Sequence, residues 1–286
     1  MKVLEVIQRS TEFLSHKGVE SPRLQAELLL AHALNLPRMQ LYLKFERELA
    51  PTELNLAREL VRRRGQREPL QHITGSTSFC GLELAVNRDT LIPRAETELL
   101  AEHGWSFLNA LASAETQPVT ALDFGTGSGC VAIALAVKCA AAQVWAVDVS
   151  PAALSLAGQN IARHGLGERV QLHLSDGFTT VPSETRFNLI IANPPYIPTT
   201  EIDELEPEVR EHDPRVALDG GVDGLDFYHR LAAEAGLWLK PEGKLMLEFG
   251  DGQAEALRQL FGTEKWIVER IVADYTQRPR ILIARK

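Results

Sequence analysis

The N-terminal quarter of the chain, from Val3 to Leu70, repeats apolar side chains at the spacing of amphipathic helices. Ser21-Pro22 is typical of an N-cap followed by the first helical residue. Pro51 predicts the start of another helix, which we expect to end just before Gly65. This part of the sequence therefore predicts a small all-helical domain.

A β-hairpin is predicted to follow the helices. Leu82, Leu84 and Val86 alternate with less apolar positions after the turn-forming glycines at 75 and 81. We therefore divide the chain into a helical domain (residues 1–72), a β-hairpin linker (73–90) and a second domain (91–286).

In the second domain short apolar runs alternate with helical stretches, as in a parallel sheet covered by helices on both faces. The last two runs are separated by a segment that contains Pro279 and has no helical pattern, so we expect them to pair antiparallel. The predicted fold class is α/β, with a mostly parallel seven-stranded sheet and an antiparallel C-terminal strand. The seven runs are Val119–Phe124, Val144–Val149, Val170–Leu174, Leu189–Ala192, Lys244–Phe249, Trp266–Val272 and Ile281–Ala284.

The first of these runs leads into Gly125-Thr126-Gly127-Ser128-Gly129 and then into a helical stretch. This arrangement exposes backbone N–H groups at a ligand site in doubly wound folds, and glycine lets a ligand approach the main chain. Cys130 stands where the dinucleotide-binding pattern needs a glycine, and no Lys-Ser or Lys-Thr follows Gly129 as in a P-loop. Sites for NAD, FAD and nucleoside triphosphates are therefore disfavoured.

Three aspartates lie at the ends of neighbouring runs. Asp148 stands where a carboxylate accepts hydrogen bonds from ribose hydroxyls, although capping of a helix at Ser150-Pro151 is the alternative. Asp176, followed by Gly177, is placed to reach an adenine amino group. Asp123 either braces the glycine turn or faces a cationic ligand centre, which fits a sulfonium better than a pyrophosphate. Together these residues favour S-adenosylmethionine as cofactor.

The run Leu189–Ala192 ends in Asn193-Pro194-Pro195-Tyr196, where two prolines remove two backbone donors and stiffen the turn. If the Asn193 side-chain oxygen and the Pro194 carbonyl each accept one N–H of a planar –NH₂ group, they orient its nitrogen and stabilise the developing positive charge. Tyr196 would pack on the flat face of the same group. The turn therefore predicts methylation of an sp² amino nitrogen, with an ordinary loop as the alternative.

Charge is distributed unevenly along the chain. Residues 1–75 carry 12 basic and nine acidic side chains, a net charge of +3, whereas the remainder carries 18 and 29, a net charge of −11. Within it, Glu201–Asp226 has ten acids and two arginines, which indicates either a solvated surface or attraction of a basic partner. A protein that gripped nucleic acid should show clustered Lys and Arg, and only Arg62–Arg64 and Arg67 come close.

Several other classes of protein are disfavoured. Three cysteines without a C-x-x-C spacing, and no H-E-x-x-H pattern, predict neither a disulfide framework nor a metal site, and favour a reducing cytosol. The apolar run Cys130–Val137 is far shorter than the roughly 20 residues of a membrane span. Glu5 and Arg9 do not fit a secretory leader.

Several stretches of the chain share a pattern with one known family. They are Glu68–Gly75, Leu91–Glu98, Leu122–Gly129, Asn193–Pro198, Glu206–Val209, Asp213–Pro214, Ala217–Gly221 and Asp223–Leu225. Together they resemble the protein-(glutamine-N5) methyltransferases that modify bacterial peptide-chain release factors, within the class I S-adenosylmethionine-dependent enzymes. Asn-Pro-Pro-Tyr alone is shared with DNA adenine and some RNA guanine methyltransferases, so the flanking stretches carry the discrimination.

The resemblance implies a Rossmann-like class I methyltransferase domain in residues 91–286, and a helical domain that docks the substrate. The substrate would be the glutamine of a Gly-Gly-Gln loop in a release factor. We expect a cytoplasmic monomer that binds neither nucleic acid nor membrane. The cofactor would be bound by Gly125, Thr126, Gly127, Ser128, Gly129, Asp148, Asp176, Gly177 and Asn193, and the glutamine side chain by Asn193, Pro194, Pro195 and Tyr196.

Two other functions stay open, a nucleic-acid amino-methyltransferase and a non-catalytic binding module of the same fold. The chain departs from the family pattern at Ala95-Glu96, at Phe124 and at Gly177, where the family frequently has a bulky residue on the adenine side. We further hypothesise that Glu201–Asp226 borders the mouth of the site and steers a basic substrate loop.

Overall fold

The computed structural model describes residues 1–114 and 118–286. These residues form two compact units, which are described separately below. The first unit consists of Met1–Ser76 and Glu206–His212, and the second of Thr77–Leu205 and Asp213–Lys286. The domain boundaries expected at residues 72 and 90 stay a prediction.

Helices alternate with strands only in the part of the chain that follows the N-terminal helices, as the spacing of apolar residues predicts. In chain order the helices are α1 (Val3–His16), α2 (Pro22–Ala33), α3 (Arg38–Tyr42), α4 (Pro51–Gly65), α5 (Leu70–Thr74), α6 (Ala95–Ala112), α7 (Cys130–Lys138), α8 (Pro151–Arg163), α9 (Pro207–Arg210), α10 (Asp226–Glu234) and α11 (Ala254–Thr263). Short 3₁₀ helices cover Thr199–Glu204, Arg215–Ala217 and Ala235–Trp238.

The first unit is helical, and its apolar stripes close two small clusters. Leu30 and Leu41 belong to one cluster, and Leu29 and Leu60 to the other. Adjacent leucines of α2 therefore serve different clusters, because successive positions of a helix point about 100° apart.

The predicted helix starts in this unit are confirmed, with differences in detail. Pro22 and Pro51 each occupy the first helical position. Ser21 lies at the N-cap, but its backbone is left-handed (φ 46°) and its side chain makes no capping hydrogen bond. The prediction that α4 ends before Gly65 is wrong by one residue. Gly65 is inside the helix, where a Cβ would collide with the ring of Phe13.

The predicted hairpin is present. Strands β1 (Ser76–Phe79) and β2 (Leu82–Ala85) form a two-stranded sheet. Cys80 and Gly81 connect them, both with positive φ (51° and 78°), as a two-residue type I′ turn requires. Gly81 is therefore needed for its positive φ and not to avoid a steric clash, because a Cβ there would meet nothing within 4 Å.

The second unit contains a seven-stranded sheet in the order β5-β4-β3-β6-β7-β9-β8. Its strands are β3 (Val119–Phe124), β4 (Ala142–Asp148), β5 (Val170–Leu174), β6 (Phe187–Ala192), β7 (Leu239–Glu248), β8 (Ile267–Ala273) and β9 (Pro279–Arg285). Strands β3 to β7 pair in parallel, and β9 runs antiparallel to both β7 and β8. The predicted mostly parallel seven-stranded sheet with an antiparallel C-terminal strand is confirmed.

Helices cover both faces of this sheet. One face packs with α6, α7 and α8, where Leu100, Leu135 and Ile161 are buried, and the other packs with α10 and α11, where Tyr228 and Phe261 are buried. All six residues of β6 are buried, which agrees with the apolar run Leu189–Ala192 at its carboxyl end.

The strand order reverses at β3. Strand β4 lies on one side of β3 and β6 on the other. The carboxyl ends of parallel strands on either side of such a switch point form a crevice, which is the usual ligand site of doubly wound sheets. Within the described residues, no helix is long and apolar enough to cross a membrane.

Candidate active site

A cavity of about 150 Å³ opens at the carboxyl ends of β3 to β6, within the second unit. Most of the residues that the sequence assigned to the site line it. These are Gly125, Thr126, Gly127, Ser128, Asp148, Asp176, Gly177, Asn193, Pro194 and Pro195. Gly129 and Tyr196 are not among the described residues that line the cavity.

The glycine turn connects β3 to α7 through left-handed backbone. Gly125, Gly127 and Gly129 have φ values of 71°, 55° and 80°, a region that side chains with a Cβ rarely adopt. A Cβ on Gly125 or Gly127 would meet nothing within 4 Å, so the open side of the turn faces the cavity. Gly129 has a different function, because a Cβ there would lie 3.2 Å from Ala157 of α8 and prevent close packing.

Asp148 holds the turn in place and also lines the cavity. Its Oδ2 accepts a hydrogen bond from the Gly127 N–H (2.8 Å), and its Oδ1 accepts one from the Ser150 N–H (2.9 Å). The cap of α8 is supplied by the Ser150 hydroxyl, which accepts from the Ala153 N–H at 3.2 Å. Each carboxylate oxygen retains a second lone pair for a ligand. Because Ser150 supplies the cap of α8, the helix-capping alternative for Asp148 is not needed to explain this residue.

Asp123 braces the turn from inside the protein. Its Oδ2 accepts hydrogen bonds from the Thr126 hydroxyl (2.6 Å) and from the Ala132 N–H (3.1 Å) of α7. The pKa of Asp123 is raised to about 7. Burial is the largest cause and the nearby Asp148 charge adds to it, while the two hydrogen bonds act in the opposite direction. The bracing contacts are present, and Asp123 also lines the cavity, so its position toward a cationic ligand centre stays a prediction.

Asp176 is engaged by an arginine that sequence reasoning missed. Arg230 of α10 forms an ion pair with the Asp176 carboxylate and donates a second hydrogen bond to the Asp176 carbonyl at 2.9 Å. The guanidinium lies where a side chain at Gly177 would stand, so a Cβ there would collide with it. The departure at Gly177 therefore has a structural counterpart, because Arg230 occupies the space that a side chain at residue 177 would need.

Asn193 follows the last residue of β6 directly. Its Nδ2 donates a hydrogen bond to the Thr97 hydroxyl at 3.0 Å. Thr97 lies in the first turn of α6, where it is 3% exposed, and it lines the same cavity. Because the two atoms of an amide head diverge, this bond turns Oδ1 of Asn193 away from Thr97.

The rest of the Asn193–Tyr196 turn is fixed by tight backbone packing. A Cβ on Gly220 would lie 2.9 Å from the Pro195 carbonyl, and Gly224 packs against the Tyr196 carbonyl. The Gln253 side chain donates to that same carbonyl at 3.0 Å. The Tyr196 ring packs against the cluster on the α10 and α11 face, and burial raises its pKa to about 12.

The acidic segment Glu201–Asp226 divides between the two units. Pro214, Val216 and Ala217 line the cavity, so part of the segment borders the site as hypothesised. Five of its ten acids, however, are ion-paired with arginines: Glu206, Glu208, Glu211, Asp213 and Asp219. The charge is thus partly used within the protein, which weakens the hypothesis that it steers substrate.

Arg94 and Asp213 form an ion pair at the cavity wall. Arg94 Nη2 lies 2.7 Å from Asp213 Oδ2, and Arg94 lines the cavity. Burial raises the pKa of Asp213 to about 6, although Arg94 and a backbone hydrogen bond lower it. Arg94 and Thr97 lie in the Leu91–Glu98 stretch, so that stretch could have identified them. Arg230 and Gln253 have no such local signal.

Within the part of the chain that the structure describes, no group of three or more His, Cys, Asp or Glu side chains is placed to hold a metal ion. Cys80, Cys130 and Cys139 are free thiols.

Comparison with known proteins identifies the family. Residues 5–75 match the family described as PrmC N-terminal domain, and residues 104–205 the family described as Methyltransferase small domain. The release factor glutamine methyltransferase of Geobacter sulfurreducens is 46% identical over 259 residues, covering 91% of this chain and 88% of that protein. The chain belongs to the release factor glutamine methyltransferase family. The Chlorobaculum tepidum member is 39% identical over 282 residues, or 97% and 95% of the two chains.

Solved structures support the fold. The hMettl16 catalytic domain in complex with a MAT2A 3′UTR hairpin is 14% identical, with a TM-score of 0.55, and the match covers 72% of this chain and 76% of that chain. A methyltransferase from Pyrococcus furiosus is 20% identical, with a TM-score of 0.50 and coverage of 72% and 90%. At these identities the likeness concerns the fold alone.

As a member of this methyltransferase family, the protein uses S-adenosylmethionine as its cofactor. The residues present fit that group. The glycine turn leaves its open side without side chains, and Asp148 has lone pairs available beside it. The cavity wall is largely apolar near Phe124, Val149 and Phe227, which suits an adenine ring.

Proposed function

We propose that this protein transfers a methyl group from S-adenosylmethionine to the side-chain amide nitrogen (N5) of the glutamine in the Gly-Gly-Gln loop of bacterial peptide-chain release factors. The observation that carries the proposal is the Asn193 amide, which Thr97 holds beside a cavity that the glycine turn also lines. The curated relatives are named release factor glutamine methyltransferases, which supports the same substrate.

In this proposal the cofactor is held by Gly125, Thr126, Gly127, Ser128 and Asp148, with Gly129 allowing α7 to approach α8. Asp176 and Gly177, together with Arg230, form the adenine side. Bound S-adenosylmethionine supplies an electrophilic methyl group on a sulfonium. The protein's own residues then have to hold an amide, which is a weak nucleophile, in one orientation.

Asn193 Oδ1 and the Pro194 carbonyl are the proposed acceptors for the two N–H groups of the glutamine amide. Two fixed acceptors orient the nitrogen and stabilise the positive charge that develops on it, without reorganisation at the moment of reaction. Pro195 and Tyr196 complete the rigid turn, which is supported by the Gln253 hydrogen bond to the Tyr196 carbonyl.

A nucleic-acid amino-methyltransferase is the alternative, because RNA enzymes share this fold and this kind of turn. The net charge of −11 after residue 75 argues against a phosphate-binding surface on the catalytic part. We propose further that the protein is a monomer, contacts no nucleic acid directly and acts in the cytoplasm, where release factors meet ribosomes.

The test is incubation with labelled S-adenosylmethionine and three substrates: a release factor, the same release factor with alanine in place of the Gly-Gly-Gln glutamine, and bare RNA or DNA. We expect label on the intact release factor only. Label on nucleic acid alone would support the alternative, and label on neither would support a non-catalytic binding module.

We propose that the helical domain (residues 1–72) docks the release factor. It carries a net positive charge, and its α3 region exposes Met39 (67%) and Leu43 (86%). Exposed apolar side chains of this size are typical of interaction surfaces when they cluster. Leu43→Glu should raise the KM for the release factor about tenfold, with no change in S-adenosylmethionine affinity. An unchanged KM would remove Leu43 from the docking surface.

A further inference from the structure

A buried carboxyl group lies behind the catalytic turn. Glu248 is the last residue of β7 and is 2% exposed. Strands β6 and β7 pair in parallel, with Ala192 opposite Leu247, so Glu248 stands beside Asn193 in the sheet register. Its Oε2 has no hydrogen-bond partner among the described residues. A buried carboxyl with an unsatisfied oxygen costs stability, which points to a function.

Thr97 connects this carboxyl to Asn193. The Thr97 hydroxyl accepts the hydrogen bond from Asn193 Nδ2 (3.0 Å). Thr97 also lowers the pKa of the Glu248 carboxyl, as a hydroxyl that donates to a carboxylate does. A hydroxyl has only one hydrogen to donate. When Glu248 is ionised it can only accept, so the Thr97 hydrogen is committed to Glu248. The Thr97 oxygen then faces Asn193 as an acceptor.

The direction of this chain of hydrogen bonds determines the orientation of the Asn193 amide. The two ends of an amide have nearly the same shape, but one accepts hydrogen bonds and the other donates them. With Thr97 as the acceptor, Nδ2 points to Thr97 and Oδ1 is the end left for the cavity. In the flipped state Asn193 would present N–H groups, which cannot bind the N–H groups of a substrate amide.

We propose that Glu248 is a positioning residue for the methyl transfer, because it fixes the Thr97 hydroxyl as an acceptor and thereby keeps the Asn193 oxygen directed at the substrate amide. This inference rests on the proposed function of Asn193, and it adds two residues, Thr97 and Glu248, to the machinery of that site.

The protonation of Glu248 makes the orientation of the Asn193 amide depend on pH. Burial raises the pKa of Glu248 to about 7, with the Thr97 hydrogen bond, Arg280 and Arg94 lowering it and Glu96 raising it. The ionisable groups that face this region from the surrounding elements are Arg94 and Glu96 at the start of α6, Arg280 of β9, Tyr196 of the turn and Tyr228 of α10. Protonated Glu248 can donate to the Thr97 oxygen, which frees the Thr97 hydrogen to bond Asn193 Oδ1 and favours the flipped amide.

The decisive variants are Thr97→Val, which keeps the shape and removes the hydroxyl, and Glu248→Gln, which is neutral at every pH. We expect Thr97→Val to lower kcat about 10- to 100-fold, as the loss of one preorganised contact does, while the KM for the release factor changes little. Thr97→Ser, which retains the hydroxyl, should recover most of that loss. Glu248→Gln should lower kcat and abolish the fall in kcat that wild type shows as pH drops through about 7.

Two binding and folding measurements accompany the kinetics. S-adenosylhomocysteine affinity by calorimetry and the midpoint of thermal unfolding should stay near wild type in Thr97→Val, which shows that loss of rate is not loss of fold. If Glu248→Gln does not fold, the Thr97 pair of variants still tests the inference.

A Thr97→Val enzyme with wild-type kcat would overturn the inference. So would a Glu248→Gln enzyme whose kcat falls with decreasing pH in the same way as that of wild type. These results differ from failure of the proposed function. If wild type methylates the release factor and Asn193→Ala does not, the function stands even where the Thr97 and Glu248 variants are fully active. If wild type labels no release factor, the function itself fails.

Discussion

Glu208 is expected to stabilise the helical unit through two arginines of the same unit. Its Oε1 lies 2.7 Å from Arg64 Nη2, and its Oε2 lies 2.6 Å from Arg67 Nη2. The Arg64 side chain is only 5% exposed and that of Glu208 19%, so water screens the cluster poorly. Glu208→Gln would leave the Arg64 charge buried without its counter-ion, which is the costly way to break an ion pair.

The size of the effect follows from the pKa of Glu208. Burial alone would raise this pKa, but the hydrogen bonds from Arg67 and Arg64 outweigh it and lower the pKa from 4.5 to about 2. At about 1.4 kcal/mol for each pH unit, that difference corresponds to about 3 kcal/mol. Glutamine retains one neutral acceptor and some solvent reaches the site, so we expect a loss of about 2 kcal/mol for Glu208→Gln at pH 7.

The pH dependence has a definite sign. The pKa of Glu208 is lower in the folded protein than in the unfolded chain, so its stabilisation is fully present above pH 4.5 and is lost as the pH falls toward about 2. The difference in unfolding free energy between wild type and Glu208→Gln should therefore be constant from pH 7 down to about 5 and shrink below that.

Hydrogen exchange of α4 is the direct assay, because Arg64 lies in that helix. A loss of about 2 kcal/mol should accelerate exchange of its slowest amides about 30-fold at pH 7. Glu206→Gln is the matched control. The Glu206 side chain is 77% exposed and pairs with the shared Arg67 at 3.1 Å, so its loss should cost less than about 0.5 kcal/mol. Equal exchange in the two variants would refute the reasoning.

Three further predictions concern the second unit. Asn193→Ala should lower kcat about 10²- to 10³-fold in the release-factor assay, with S-adenosylhomocysteine affinity nearly unchanged; retained turnover would remove Asn193 from its proposed role. Asp148→Ala should weaken S-adenosylhomocysteine binding about 10- to 100-fold in calorimetry, since hydrogen bonds to a charged group contribute about 1.5–3 kcal/mol each, and unchanged affinity would leave Asp148 only its contacts with Gly127 and Ser150. Gly177→Ala should lower the unfolding free energy by about 2 kcal/mol, because the φ of Gly177 is 63° and Arg230 lies against it. The control is Gly262→Ala, inside α11 with open space around it, which should raise the unfolding free energy by about 0.5–1 kcal/mol. Equal effects of the two substitutions in thermal unfolding would contradict this explanation of Gly177.

The sheet and the site position were predictable because their signals are local. Each strand of the parallel sheet is a short apolar run, and the residues that follow β3, β4 and β6 carry the polar chemistry. Parallel strands place their carboxyl ends at one edge, so Gly125, Asp148 and Asn193 had to meet there once the sheet was assumed. The apolar runs alone do not show that β4 and β6 are the neighbours of β3, and this adjacency is what brings the three residues together.

Contacts between distant parts of the chain were not predictable in the same way. Glu208 and Arg64 are 144 positions apart, and Arg230 and Asp176 are 54 apart. A count of charges along Glu201–Asp226 gives the same −8 whether its acids are solvated, steer a partner or pair with arginines elsewhere. A test of substrate steering therefore has to avoid Glu208. Glu201 and Glu204, which are exposed, are the suitable positions for neutralisation.

The same limit applies to the Asn-Pro-Pro-Tyr turn itself. The tetrapeptide specifies an amide at residue 193, but flipping that amide preserves its shape and exchanges an acceptor for a donor. What selects one state is a hydroxyl 96 positions earlier and, through it, a buried carboxyl on the neighbouring strand. A chain can therefore keep the tetrapeptide intact and lose turnover through a change at Thr97 or Glu248. For this reason an intact Asn-Pro-Pro-Tyr alone is weak evidence that a protein of this fold is catalytic. The presence of Asn193, Thr97 and Glu248 together is stronger evidence.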